Sequence, residues 1–208
     1  MYLPPQFSCT DAALVAQLLR EHPFASLISL DSQGAPFVSH IPLHLSLATA
    51  GQSSDWTLIG HVAKGNPHAR HLQDSPRALV TFMGPQAYMS PSVYPDLARV
   101  PTWNYLAVHC EVQIALITDA QEKDALLKQL IADHEPAYAQ QWRGLGEEFA
   151  QKMLSGIVGL RMQVTSWQAK FKLNQHRAEA RHAMYDQYAA GTPEERALSV
   201  WMQRLGLV

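Results

Sequence analysis

Lysine, histidine and amide side chains recur beside glycine and aromatic residues in three tracts. These are Gly60-His61-Val62-Ala63-Lys64-Gly65-Asn66-Pro67, Pro101-Thr102-Trp103-Asn104-Tyr105 and Phe171-Lys172-Leu173-Asn174-Gln175-His176-Arg177. Cations, hydrogen-bonding groups and flat apolar surface together suit a planar, phosphorylated cofactor, and the expectation is one composite site. In the first tract Asn66 reads as an N-cap and Pro67 as the first residue of a short helix. That places the Lys64-Gly65-Asn66 peptide groups at the positive helix end, a seat for phosphate. Lys64 adds a mobile positive charge, Gly65 lets the backbone approach closely, and His61 can orient an anionic group from the preceding strand. An ordinary capped turn with a solvated lysine explains the same residues. No Gly-rich phosphate loop or dinucleotide fingerprint is present, so nothing supports adenylate recognition.

Tyr88-Met89-Ser90-Pro91 and Thr102-Trp103-Asn104-Tyr105 offer flat surfaces with short polar handles. Aromatics can pack beside a ring system while hydroxyl and amide groups read its polar edge. Trp103 and Tyr105 can equally close a hydrophobic core. Lys172 and Gln175 converge on one ligand if the intervening turn bends, and a charged helix cap is the competing account. Ser39 and His40 lack a positioned acid and oxyanion hole, which leaves hydrolysis weakly supported. His44, His61, His68, His71 and His109 form no close ligand set, and no metal is expected.

These tracts need rigid elements to hold them. Asp11–Glu21 reads as a helix burying Leu14, Val15, Leu18 and Leu19, with Pro23 as its stop. Phe24–Leu30 and Pro36–Leu45 read as strands around a turn in which Gly34 takes positive φ. Thr49–Asp55 is a polar break, and Trp56–Val62, Ala78–Met83, Tyr105–Ile117 and Ile157–Trp167 are further strands. Asp119-Ala120-Gln121-Glu122 and Thr192-Pro193-Glu194-Glu195 carry capping-box spacing ahead of amphipathic helices. Many strands before sustained helices predict a closed β core. With neither repeat nor long linker, residues 1–208 are expected to form one domain with a C-terminal helical extension.

A chain of 208 residues that is 47% hydrophobic has material for a substantial core. Its formal charge of −2 exerts no global pull toward nucleic acid, and no helix-turn-helix or zinc-finger signature is visible. Cys9 and Cys110 form neither a metal spacing nor a disulfide framework. Met1-Tyr2-Leu3-Pro4-Pro5 lacks the pattern of a signal peptide, and no tract has the apolar length of a membrane span. The expectation is a cytoplasmic protein without membrane association.

The chain resembles the PaiB-type, FMN-binding negative transcriptional regulator family of the FMN-binding split-barrel superfamily. The resemblance spans nearly the whole sequence. It rests on Met1-Tyr2-Leu3-Pro4-Pro5-Gln6-Phe7, Pro23-Phe24-Ala25, Ser39-His40-Ile41-Pro42-Leu43, Val100-Pro101 and the tracts quoted above. It implies a fold that is mainly β with accessory helices, a six-stranded split barrel, in a homodimer with FMN near the subunit interface. Lys64 stands where the family often has arginine, which keeps the charge and loses the rigid fork. Asn174 and His176 depart from the family's Phe-Lys-Leu-Ser-Gln-Asn pattern. By this resemblance the principal cofactor-side residues are His61, Lys64, Asn66, Ser90, Lys172 and Gln175, supported by Thr102, Trp103 and Asn104. The implied function is that of an FMN-binding transcriptional regulatory protein, with DNA or a regulatory protein as its partner and direct and indirect regulation both left open. An FMN-dependent oxidoreductase and a flavin carrier or structural interaction protein are the alternatives.

Overall fold

Alternation of apolar and polar residues builds most of the strands, and the computed structural model describes residues 1–47, 56–96 and 98–208. The polar break expected at Thr49–Asp55 lies outside these described residues. Eight strands form: β1 (Ser8–Cys9), β2 (Phe24–Leu30), β3 (Pro36–Pro42), β4 (His44–Leu47), β5 (Trp56–Ala63), β6 (Arg77–Met89), β7 (Thr102–Ile117) and β8 (Ile157–Lys172). Among the described residues seven α-helices accompany them: α1 (Ala12–Glu21), α2 (His68–Asp74), α3 (Ala120–His134), α4 (Tyr138–Arg143), α5 (Glu147–Ser155), α6 (Arg181–Ala189) and α7 (Pro193–Arg204).

The strands make one sheet in the order β3-β2-β6-β7-β8-β5-β4, with β1 paired to β8 outside that path. This corrects the expected six-stranded split barrel. The fold is mixed α/β, the sheet has eight strands, and its path is open, ending at β3 and β4. The physical reason lies at Pro42-Leu43. Pro42 has no N–H to extend the ladder, and the Leu43 N–H donates instead to Pro23 O at 2.9 Å. The single strand expected over Pro36–Leu45 therefore breaks in two: β3 pairs with β2, and β4 pairs with β5.

The chain divides into two units. One comprises Met1–Glu21, Met83–His109 and Gln168–Val208, and the other His22–Phe82 and Cys110–Trp167. In the first unit α1 buries Val15, Ala16, Leu18 and Leu19, and Asp11 Oδ1 caps it by accepting from the Ala13 and Leu14 N–H groups. Helix α7 starts at Thr192 with both capping-box bonds formed and Pro193 in its first turn. Its Trp201 meets Phe171 edge-on at 5.4 Å between ring centroids.

In the second unit Trp56 is buried and stacks on Trp167 at 5.4 Å. Ile59, Ile117 and Leu126 form a cluster that Leu127 and Leu130 of α3 cover, as the apolar face of that helix implied. The Asp119 side chain accepts from the Gln121 and Glu122 N–H groups, while the Glu122 carboxylate reaches Arg161. The β2–β3 turn places Gly34 at φ 80°, where a side chain is strained.

Among the described glycines of this unit, Gly60 of β5 leaves the least room for a side chain. A Cβ there would lie 2.6 Å from Leu43 Cδ2 and 3.0 Å from Pro42 O. Gly65, five residues on, has nothing within 4 Å. Gly60→Ala is therefore expected to cost about 1–3 kcal/mol through overpacking. Gly65→Ala is expected to stay within about 0.5 kcal/mol of the parent. Chemical denaturation of the two variants checks the difference.

Candidate functional site

In the second unit, β5 delivers His61 and Ala63 to a tight turn that enters α2. The Asn66 N–H donates to Ala63 O at 2.9 Å, and the Lys64 N–H donates to Gly156 O at 2.8 Å. The Asn66 side chain is engaged at both ends. Its Nδ2 donates to Ser39 Oγ at 3.0 Å, and its Oδ1 accepts from the His68 N–H at 3.0 Å. Helix α2 is seven residues long, about two turns, with Pro67 itself at the N-cap position. Several N–H groups expected to face a phosphate thus already have partners within the fold. The Lys64 side chain is exposed and Gly65 is open to close approach.

Behind this turn lies a polar chain that sequence spacing does not reveal. His68 is fully buried. Its Nδ1 is 2.9 Å from Ser39 Oγ, and its Nε2 is 3.0 Å from Ser29 Oγ. Phe37 meets the His68 and His71 rings edge-on at 5.0 and 4.8 Å. Burial, reinforced by His71, pushes the His68 imidazole down to about 4, so it is neutral at physiological pH. Neutral His68 ties β2, β3 and the start of α2 together. His61, on β5, is half-buried, and burial lowers its basicity as well. Its Nδ1 is buried with no hydrogen-bond partner.

In the first unit the start of β7 and the end of β8 bring three expected residues together. Lys172 Nζ donates to Thr102 Oγ1 and to Trp103 O, both at 2.5 Å. Its basicity is lowered by burial and then by neighbouring Lys170. Lys170 donates to Tyr2 O at 3.2 Å and lies 5.4 Å from the Tyr105 ring centroid, with Lys172 6.0 Å from the same ring. Among the described residues no carboxylate lies within ion-pair distance of Lys172.

Asn104 is 1% exposed; its Nδ2 donates to Tyr188 Oη at 3.0 Å, and its Oδ1 has no partner. Tyr188 comes from α6, and burial raises its hydroxyl pKa. The Asn104–Tyr188 link joins residues 84 apart in sequence, so no local spacing signals it.

Trp103 is 49% exposed, donates from Nε1 to Gln86 Oε1, and meets Tyr88 edge-on at 6.3 Å. Two expected residues are engaged internally. The Gln175 Oε1 accepts from the Leu173 N–H at 2.9 Å while its Nε2 donates to Phe171 O at 2.6 Å. Ser90 Oγ accepts from the Ser92 N–H at 3.2 Å and caps the short helix Pro91–Val93. Gln175 and Ser90 hold turns rather than presenting free side-chain groups.

Each unit, taken by itself, carries groups of the kind that suit FMN. Gly65 leaves open approach beside the exposed Lys64 cation, while Lys172 is a second cation without a carboxylate. His61 Nδ1 and Asn104 Oδ1 are buried polar atoms in need of partners, and Trp103 shows a flat exposed face. Among the described residues no cluster of three or more His, Cys, Asp or Glu side chains is arranged to hold a metal, and no helix is long and apolar enough to cross a membrane.

Comparison with known proteins gives the same cofactor. A family model described as "Putative FMN-binding domain" matches residues 1–166. The "Protease synthase and sporulation protein PAI 2" of Bacillus subtilis is 33% identical over 184 residues, covering 86% of this chain and 84% of its own. An uncharacterized protein of Aspergillus fumigatus is 28% identical over 222 residues, covering 84% and 85%. Among solved structures, the flavocytochrome Anf3 of Azotobacter vinelandii superposes with a TM-score of 0.61 at 14% identity, covering 81% of this chain and 71% of its own. The FAD and heme binding protein of Mycobacterium smegmatis gives 0.57 at 20% identity, covering 80% and 74%. Both structures are likenesses of fold alone.

The buried His68 predicts an acid-sensitive stability. Its folded value of about 4 lies below the ordinary 6.5. Between these values the unfolded chain binds the proton more readily. Its contribution is therefore complete above pH 6.5, falls as pH drops toward 4, and levels off below that. Unfolding followed across this range should show a steeper loss for the parent than for His68→Gln, and parallel curves would contradict the assignment.

Proposed function

This chain belongs to the PaiB-type FMN-binding family and is an FMN-binding protein, and from that premise we propose that it acts as an FMN-dependent regulatory protein. The observation that carries the site assignment is the half-buried Lys172 cation, held by Thr102 Oγ1 and Trp103 O with no carboxylate within ion-pair distance among the described residues. When bound, FMN supplies reversible one- and two-electron chemistry.

Roles are proposed cluster by cluster. In the second unit the Lys64 ammonium and the open backbone at Gly65 take a phosphate, while His61 Nδ1 offers a hydrogen-bonding position. Asn66 positions the turn through Ser39 and His68. In the first unit Lys172 and Thr102 face electron-rich atoms of the ligand, Asn104 Oδ1 accepts from an N–H, and Trp103 supports the ring. Ser90 and Gln175 shape the turns that carry this cluster.

Further expectations concern assembly and place in the cell. Met83, Tyr88 and Trp103 leave apolar surface exposed within the first unit, which favours a homodimer. β6, β7 and β8 each contribute residues to both units, which favours a single domain and one unfolding transition. Cys9 and Cys110 are buried free thiols, in keeping with a reducing cytoplasm. Regulation is proposed to run through DNA or a regulatory protein. DNA retardation and partner capture, each with and without FMN, distinguish these routes.

Flavin titration tests the two lysines directly. Lys64→Ala and Lys172→Ala are each expected to weaken FMN binding by roughly tenfold or more, the scale of a lost charge-assisted hydrogen bond. Lys128→Ala, which removes an exposed partner of Asp124, should leave it unchanged. Unchanged affinity in either test variant removes that lysine from the site. Sedimentation across a range of protein concentrations reads the assembly, and a persistent FMN-loaded monomer would reject the dimer.

A further inference from the structure

Within the first unit a cleft of about 370 Å³ opens beside Lys172, with Phe7, Tyr94, Arg99, His176 and Arg177 among its walls. Its charge balance is unusual. Arg99 lies 2.8 Å from Asp96 and 3.5 Å from Glu179, and its guanidinium sits 5.2 Å from the Tyr94 ring centroid. Among the described residues neither Lys172 nor Arg177 has a carboxylate within ion-pair distance. Partly desolvated cations facing one small volume raise the local potential and favour an anion.

The backbone is shaped to hold this arrangement. Asn174 is buried and takes φ 53°, and among the described residues it alone has positive φ without being glycine. Its Nδ2 donates to Tyr94 Oη at 3.0 Å, and its carbonyl accepts from the Arg177 N–H at 2.8 Å. One left-handed residue thus fixes both the aromatic wall and the turn from which Arg177 projects. Asparagine takes this conformation more readily than most residues, and two bonds hold it at the cleft. Phe7 meets His176 edge-on at 5.4 Å, and both line the cleft.

We propose that this cleft recognises a small ring-bearing anion, a carboxylate or a phosphate monoester, with Lys172 and Arg177 taking the anionic group and Tyr94 flanking the ring. The volume suits one ring with one anionic substituent, at the small end of ligand sites. The guanidinium of Arg177 matches either anion through paired N–H groups. The proposal rests on the flavin reading only in sharing Lys172 and Thr102 with it. Arg177, Asn174 and Tyr94 belong to the cleft alone.

Calorimetric titration of the FMN-loaded protein with benzoate, phenyl phosphate and neutral benzyl alcohol tests the proposal. At least one anion should bind saturably, more weakly at higher ionic strength, while benzyl alcohol should not. Arg177→Gln should weaken the anion by about tenfold or more and leave the FMN content unchanged. Arg177→Lys should fall between the two. Preference between benzoate and phenyl phosphate assigns the carboxylate or the phosphate source. Four results would overturn the proposal: no saturable anion binding, affinity indifferent to salt, equal affinity in R177Q, or release of FMN as anion is added. The last would make the cleft part of the flavin's own seat. Failure of the protein to hold any FMN would instead count against the flavin reading, because the same anion titration still reports on the cleft.

Discussion

Lys172 holds a positive charge half out of water on two neutral oxygens, Thr102 Oγ1 and Trp103 O, with no carboxylate beside it among the described residues. Such a group is costly unless something electron-rich completes its surroundings. Its position depends on β7 and β8 running to their full lengths, because Thr102 opens one strand and Lys172 closes the other. Shortening either strand by a few residues would leave the ammonium in solvent. The long strands are therefore what hold this cation against Thr102 and Trp103.

The polar residues divide by what their hydrogen bonds already do. Asn66, Gln175 and Ser90 have side-chain groups engaged with nearby backbone or side chains, so they fix turns. His68, neutral between two serines, belongs with them. Lys64, the exposed ring of Trp103, His61 Nδ1 and Asn104 Oδ1 retain capacity for a ligand. Within each unit the turn-fixing residues supply the rigid support that any bound geometry needs.

Much of this was legible in the sequence. Strand β2 is predicted to the residue, and the caps at Asp119 and Thr192 form where their spacing puts them. Strand β6 continues past Met83 to a buried Met89, β7 starts earlier at Thr102, and β8 continues past Trp167 to Lys172, so each strand is longer than its most apolar stretch. The barrel expectation failed at Pro42-Leu43, where a missing N–H and one bond to Pro23 redirect the chain to a new neighbour. Within the site, residue types near Lys64 and Lys172 were readable, but hydrogen-bond partners were not. Asn104 meets Tyr188 and Ser29 meets His68 across long sequence separations, and only the folded chain brings such pairs together.

This chain holds FMN, and we infer that it recognises the phosphate by charge. Equilibrium binding of FMN compared with riboflavin, which keeps the ring and lacks the phosphate, separates charge recognition from ring recognition. FMN is expected to bind roughly ten- to a hundredfold more tightly, the scale of one to two charge-assisted hydrogen bonds, with the advantage shrinking as salt rises. Equal affinity for the two flavins, at low and high salt alike, would contradict it.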